Sequence, residues 1–274
     1  MKYQAPEHIT DAMMNGKPID LVVVGAGGTG SALVGKLYQM HYLLKQLGGG
    51  GINLVLIDDD EVSPSNVGRQ SFYDFDVNRS KSECLIERFN NFGDTNWKFG
   101  IGRVEADNLY DVLDGTDILI TCVDNPNSRV EIGQMLEDTL YQPQEAPNLL
   151  WLDGGNNRNS GQVVLGSYEH DAHESFPRLP SVYDLFGQQL ETMEFKDTDS
   201  CSHEEAIAKQ DFGVNDAVAH HMAQLIWKLL RYGEIEHHGV EIDLTTGTST
   251  PMPIDPLTWE MYGFTDGAKQ ALAS

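Results

Sequence analysis

The sequence predicts an α/β domain built on buried parallel strands, and three observations carry that expectation. The stretch Asp20–Gly30, DLVVVGAGGTG, runs four apolar residues, Leu21–Val24, straight into four glycines within six positions, the signature of a buried strand handing over to a phosphate-cradling turn. Two further apolar runs, INLVLI at 52–57 and DILITCV at 117–123, end on the carboxylates Asp58 and Asp124. Between the first two strands, Leu33, Leu37, Leu44 and Leu47 recur at helical spacing, so the glycine turn opens a helix. At 274 residues the chain has room for one large domain of this class.

Composition narrows the function classes. Lys and Arg total 18 against 42 Asp and Glu, a net charge of -24, which repels nucleic-acid backbones and anionic lipid surfaces; neither partner is expected. The same charge also serves plain solubility. Cys84, Cys122 and Cys201 are an odd, widely spaced set that makes no disulfide framework, and a cytoplasmic location is expected. No signal peptide or membrane-spanning run is read from the sequence.

The helix following the glycine turn presents its N-terminus to bound phosphate. Gly25, Gly27, Gly28 and Gly30 form the turn, and Asp58 is placed to accept from ribose hydroxyls. Gly25, Gly27 and Gly30 also satisfy G-x-G-x-x-G, so an NAD-dependent enzyme stays open as an alternative. Residues 66–103 hold six cations against five carboxylates, a local excess of positive charge in an acidic chain. Arg69 and Lys81 within it suit the β and γ oxygens of a triphosphate; an ordinary solvated loop remains the competing account. Asp124, beside Asn125 at the end of a parallel strand, is placed to hold Mg²⁺ against phosphate, or to cap the helix that follows.

Taken together, GAGGTG, IDDDEVSPSNVGRQ, Lys81 and TCVDNPNSR resemble the ThiF/MoeB family of ubiquitin-activating-type adenylyltransferases. The ordered match covers roughly residues 18–165. The segment SCSHEEAIAKQDFGVNDAVA is most similar to the ThiF-like proteins of bacterial PRTRC gene systems. The resemblance implies a Rossmann-like, mixed, mostly parallel sheet flanked by helices, in a homodimer or heterodimer. It implies that the glycine loop cradles ATP, that Asp58 binds ribose with Asp60 nearby, that Asn66, Arg69 and Lys81 contact phosphate, and that Asp124 with Asn125 positions Mg²⁺. The implied activity is adenylylation of the C-terminal glycine carboxylate of a small ubiquitin-like or sulfur-carrier protein, with a conjugating-enzyme-like protein as a further partner. An ATP-binding but catalytically silent scaffold subunit of a heterodimer is the other alternative.

Three departures from the family stand out. Its paired C-x-x-C motifs are absent, so no family-type structural zinc is expected, and no arginine precedes the first strand to act across a dimer. Lys81 lies twelve positions after Arg69, one fewer than the family spacing.

Beyond the strand at 148–153, residues 169–205 hold ten carboxylates against Arg178 and Lys196 and read as an acidic crossover. The expected organisation is an arm at 1–17, an ATP-binding core at 18–165, the crossover at 166–202 and a completing segment at 203–274. Cys201 directly precedes an S-x-x-E capping box, Ser202–Glu205; the helix N-terminus favours its thiolate and the neighbouring carboxylates oppose it. Whether Cys201 takes the activated carboxyl as a thioester or is structural stays open. His237 and His238 are expected in a turn, and residues 245–256 read as a Thr- and Pro-rich extension docked by Trp259, Tyr262 and Phe264.

Overall fold

A computed structural model describes residues 1–105, 107–140, 148–168, 178–193 and 210–265. Eight strands form one mixed sheet. Its parallel half holds β2 (Ile19–Val24), β3 (Ile52–Asp58), β4 (Lys98–Ile101), β5 (Ile118–Thr121) and β6 (Leu149–Asn156). Three strands continue it antiparallel: β7 (Ser160–Tyr168), β9 (His237–Asp243) and β10 (Thr248–Pro253). The order is β10-β9-β7-β6-β5-β2-β3-β4. The mixed, mostly parallel sheet flanked by helices is thus the one expected.

The parallel strands are apolar on both faces because helices cover both. Val23, Leu56, Leu119, Ile120 and Leu152 are fully buried. The helices are α1 (Glu7–Met14), α2 (Gly28–Gln46), α3 (Lys81–Gly93), α4 (Leu109–Leu113), α5 (Pro126–Leu140), α6 (Val182–Thr192), α7 (Val214–Tyr232) and α8 (Pro256–Glu260). β2 is central, with β3 on one side and β5 on the other. The strand order therefore reverses beside it, and the carboxyl ends of β2 and β5 flank the crevice where α/β sheets take ligands. A separate ribbon pairs β1 (Tyr3–Gln4) with β8 (Glu234–Ile235), tying residues 1–17 to the end of α7.

Two expectations are corrected in the C-terminal third. The Thr- and Pro-rich stretch is the edge strand β10, paired along β9; Pro251 and Pro253 are tolerated because an edge strand needs ladder donors on one side only. His237 and His238 lie in β9, not in a turn. His238 is 0% exposed, and both ring nitrogens are engaged: Nδ1 donates to the Leu165 carbonyl at 3.0 Å, and Nε2 accepts from Trp259 Nε1 at 2.8 Å. This arrangement requires the neutral ring. Trp259, on α8, thereby fastens the C-terminal segment to the sheet, with Arg178 between the Tyr168 and Phe264 rings as a second fastening.

Burial pulls His238 from 6.5 down to about 4. The folded state thus binds its proton less readily than the unfolded chain, so the contribution is whole above pH 6.5 and is lost as pH falls towards 4. Denaturant unfolding is expected to lose about 3 kcal/mol across that window from this residue, and His238→Gln should flatten the slope.

Candidate functional site

The chain turns at the end of β2 because Gly25 adopts φ +97°, and a Cβ there would sit 2.8 Å from the Cys122 carbonyl oxygen. A Cβ on Gly30 would run into the Gly25 carbonyl. Those two glycines allow the start of α2 to close against β5. Gly27, the α2 N-cap, has no side-chain cap bond and open space around it, so the first N–H groups of α2 face outward with the positive end of the helix dipole. Gly28 fits for another reason: its missing Cβ makes room for the Asn215 side chain. Asn215 Oδ1 accepts from Thr29 Oγ1 at 3.1 Å, so the N-termini of α2 and α7 meet at the loop.

A cleft of about 1320 Å³ opens at the carboxyl ends of β2–β5 and extends over β7, β9 and β10. The sequence-expected residues Gly25, Gly27, Gly28, Asp58, Asp60, Arg69, Lys81, Asp124 and Asn125 all line it. Gly30 and Asn66 do not. Gly30 serves the close approach just described, whereas the buried Asn66 turns its Oδ1 back to the Ser63 N–H at 2.9 Å, closing its own turn. Cys201, and the capping box after it, lie outside the described residues.

Asp58 is held by the backbone of the loop it faces. Oδ2 accepts from the Ala26 N–H at 2.6 Å and Oδ1 from the Asp60 N–H at 2.9 Å. Burial raises its carboxyl above the ordinary value, opposed by those N–H groups and by Lys81. Lys81 opens α3, and its buried Nζ reaches Asp60 Oδ2 at 2.6 Å, at the cleft wall. Arg69 donates from Nη1 to Gln210 at 3.2 Å, while its Nε is buried with no hydrogen-bond partner. Burial lowers the Arg69 pKa and Asp124 opposes the fall. A buried donor without a partner is costly, and one lining a cleft fits an anionic ligand. Asn125, not Asp124, makes the Asx turn into α5, accepting from the Asn127 N–H at 2.9 Å, which leaves the Asp124 carboxylate exposed in the cleft.

Arg129 and Asp153 were not singled out from sequence. Arg129 Nε donates to Asp153 Oδ1 at 2.8 Å, Thr121 Oγ1 donates to the same oxygen at 2.6 Å, and Trp151 Nε1 donates to Thr121 at 2.9 Å. Both charged groups are buried, and Arg129 lines the cleft. A cation in the first turn of α5 opposes the helix dipole, and the buried carboxylate of Asp153 offsets that cost. Cys122 lines the cleft as well, but burial first, then Asp153, push its thiol far above the usual range; Cys84 is pushed up to about 11. Neither is a thiolate near neutral pH.

Among the described residues no set of three His, Cys, Asp or Glu is arranged to hold a metal, and no helix is long and apolar enough to cross a membrane. A model of the ThiF family matches residues 11–253. The chain belongs to the ThiF family. Among its ThiF relatives, the sulfur carrier protein ThiS adenylyltransferase of Escherichia coli is 30% identical over 140 residues, 48% of this chain and 52% of that protein. The adenylyltransferase and sulfurtransferase UBA4 of Yarrowia lipolytica is 33% identical over 118 residues, 41% and 26% of the two chains. The SAMP-activating enzyme E1 of Haloferax volcanii is 33% identical over 107 residues, 38% and 36%. The chain thus spans about a quarter to a half of the length of these curated relatives. Solved structures share the fold. PaaA superposes with TM-score 0.61 at 14% identity, over 90% of this chain and 76% of that one. Escherichia coli MccB with ATP gives 0.58 at 17%, over 91% and 68%.

Arg129→Met leaves Asp153 buried and unpaired, and is expected to cost about 3 kcal/mol in denaturant unfolding. Arg129→Met with Asp153→Asn should recover part of that loss.

Proposed function

We propose that this ThiF-family chain is an ATP-dependent adenylyltransferase that activates the C-terminal carboxylate of a small ubiquitin-like or sulfur-carrier protein. The observation that carries the proposal is the convergence of three unsatisfied or cationic donors on one cleft: the uncapped start of α2, the orphaned Nε of Arg69 and the ammonium of Lys81. Asp58 is anchored beside them, on the glycine loop, by the Ala26 N–H. The names of the relatives support the same reading, since one names the sulfur carrier protein ThiS and another names SAMP as what it acts on.

The chemistry asks little of the protein beyond position and charge. A carboxylate oxygen of the partner attacks the α-phosphorus of ATP, the new P–O bond forms and pyrophosphate departs with the bonding pair. The α2 N-terminus and Arg69 bind phosphate oxygens, Lys81 holds charge near them, and Asp58 accepts from the ribose. Mg²⁺ is held by one carboxylate together with substrate phosphates in many sites. Asp124, exposed in the cleft within the field of Arg69, is the residue that would do so here, where the ion would neutralise phosphate charge. We assign the finer relationship to the PRTRC-system ThiF-like proteins and the cytoplasmic location on the sequence alone. Transfer to a thioester rests on Cys201.

ATP–pyrophosphate exchange with the cognate small protein tests the reading. Lys81→Ala and Asp124→Ala are each expected to lower exchange by about a hundredfold. NAD binding tighter than ATP would overturn it, and ATP binding without exchange would make the chain a silent scaffold subunit. A conjugate sensitive to reductant and lost in Cys201→Ser is the expected sign of the thioester step.

A further inference from the structure

A second, smaller pocket lies on the other face of the β9–β10 hairpin. Strand alternation turns Glu241 and Asp243 of β9, with Thr248 and Thr250 of β10, into the main cleft. It turns Val240, Ser249 and Pro251 the opposite way, towards α7. There His221, Gln224 and Lys228 recur along one stripe of the helix, and with His220 and His237 they enclose about 290 Å³. His221 Nε2 lies 3.1 Å from Ser249 Oγ, and the His220 and His221 ring centroids are 5.6 Å apart.

We propose that this pocket binds a tetrahedral oxyanion, a sulfate or phosphate group. The polar side chains lining it are imidazoles, an ammonium, an amide and a hydroxyl; no carboxylate of the described residues lines it. That is an unusual grouping in a chain of net charge -24. The groups also work against one another. Burial, then His220 and Lys228, hold His221 below its ordinary value. Burial, then Lys228 and His221, hold His237 down, and Glu236 acts the other way. Lys228 makes no ion pair with any described residue. An entering dianion removes that mutual repulsion and accepts from every donor in the ring.

A divalent metal suits the pocket less well. The fixed charge of Lys228 repels it, and among the described residues the histidines do not form a metal-holding set. The site is independent of the adenylation reading, because none of its lining residues lines the main cleft.

The test is a titration of the full chain with sodium sulfate, followed by imidazole NMR. Sulfate keeps its double charge throughout, so any proton linkage belongs to the protein. Saturable shifts of the His221 and His237 signals are expected, with binding about tenfold tighter near pH 6 than near pH 8. Lys228→Gln should weaken sulfate binding by about threefold or more, with thermal melting confirming that the variant is folded. A parallel titration with phenyl phosphate distinguishes the sources: tighter binding than sulfate points to a phosphomonoester, equal binding to an inorganic anion. Shifts that rise linearly without saturating, affinity unchanged by Lys228→Gln, or saturation by Zn²⁺ with no response to sulfate each overturn the proposal.

Discussion

Everything at the main cleft depends on one close approach of backbone to backbone. The turn after β2 lies so near the end of β5 that Gly25 has no room for a Cβ, and the start of α2 folds so tightly onto that turn that Gly30 has none either. Gly25 N–H donates to the Ile57 carbonyl at 2.9 Å and Cys122 N–H to the Val24 carbonyl at 2.8 Å. Three strand ends are thereby clamped at one point. Because the clamp is made of main chain, the outward side chains and N–H groups around it are free to serve a ligand. Asp58, Asp124 and the start of α2 inherit their positions from this contact.

The charge pattern follows from the same geometry. Four of the cations are largely buried, and each is answered by a carboxylate. Arg129 is answered by Asp153, Lys81 by Asp60, Arg88 by Asp76 and Arg178 by Asp184. Arg69 in the cleft differs from these four, since its neutral partner Gln210 leaves its charge uncompensated by a direct ion pair, with Asp124 acting on it only through the field. Burial destabilises a lone guanidinium, and a bound anion relieves the strain. The cleft thus carries a charge imbalance of the kind an anionic ligand relieves.

Much of this was legible in the sequence because it is coded locally. A strand, a glycine turn and a helix follow one another within a few dozen residues, and the hydrophobic period distinguishes them. The carboxylates at strand ends could be placed at the crevice for the same reason. What escaped was coded across distance. Asn215 reaches the glycine loop from a helix 187 positions after Gly28, and Arg129 finds Asp153 across two elements. Asn66 belonged to a promising motif, yet its side chain satisfies its own turn. β10 was hidden by its prolines, which signal irregular chain unless the strand is known to sit at an edge. His238 looked like a turn residue because nothing nearby in sequence announces Trp259 as its partner.

Those prolines have a further consequence for how this molecule meets others. Pro251 and Pro253 offer no N–H to an incoming strand along β10, so the antiparallel border of the sheet is chemically blunted. At the opposite border β4 is only four residues long, begins with Lys98 and is followed by Gly102 at φ +147°, so a ladder finds little length to grow on. With sheet extension hindered at both borders, association with a second copy or with a partner is steered towards helix faces and loops. There, specificity is written in side chains, not in a generic main-chain ladder.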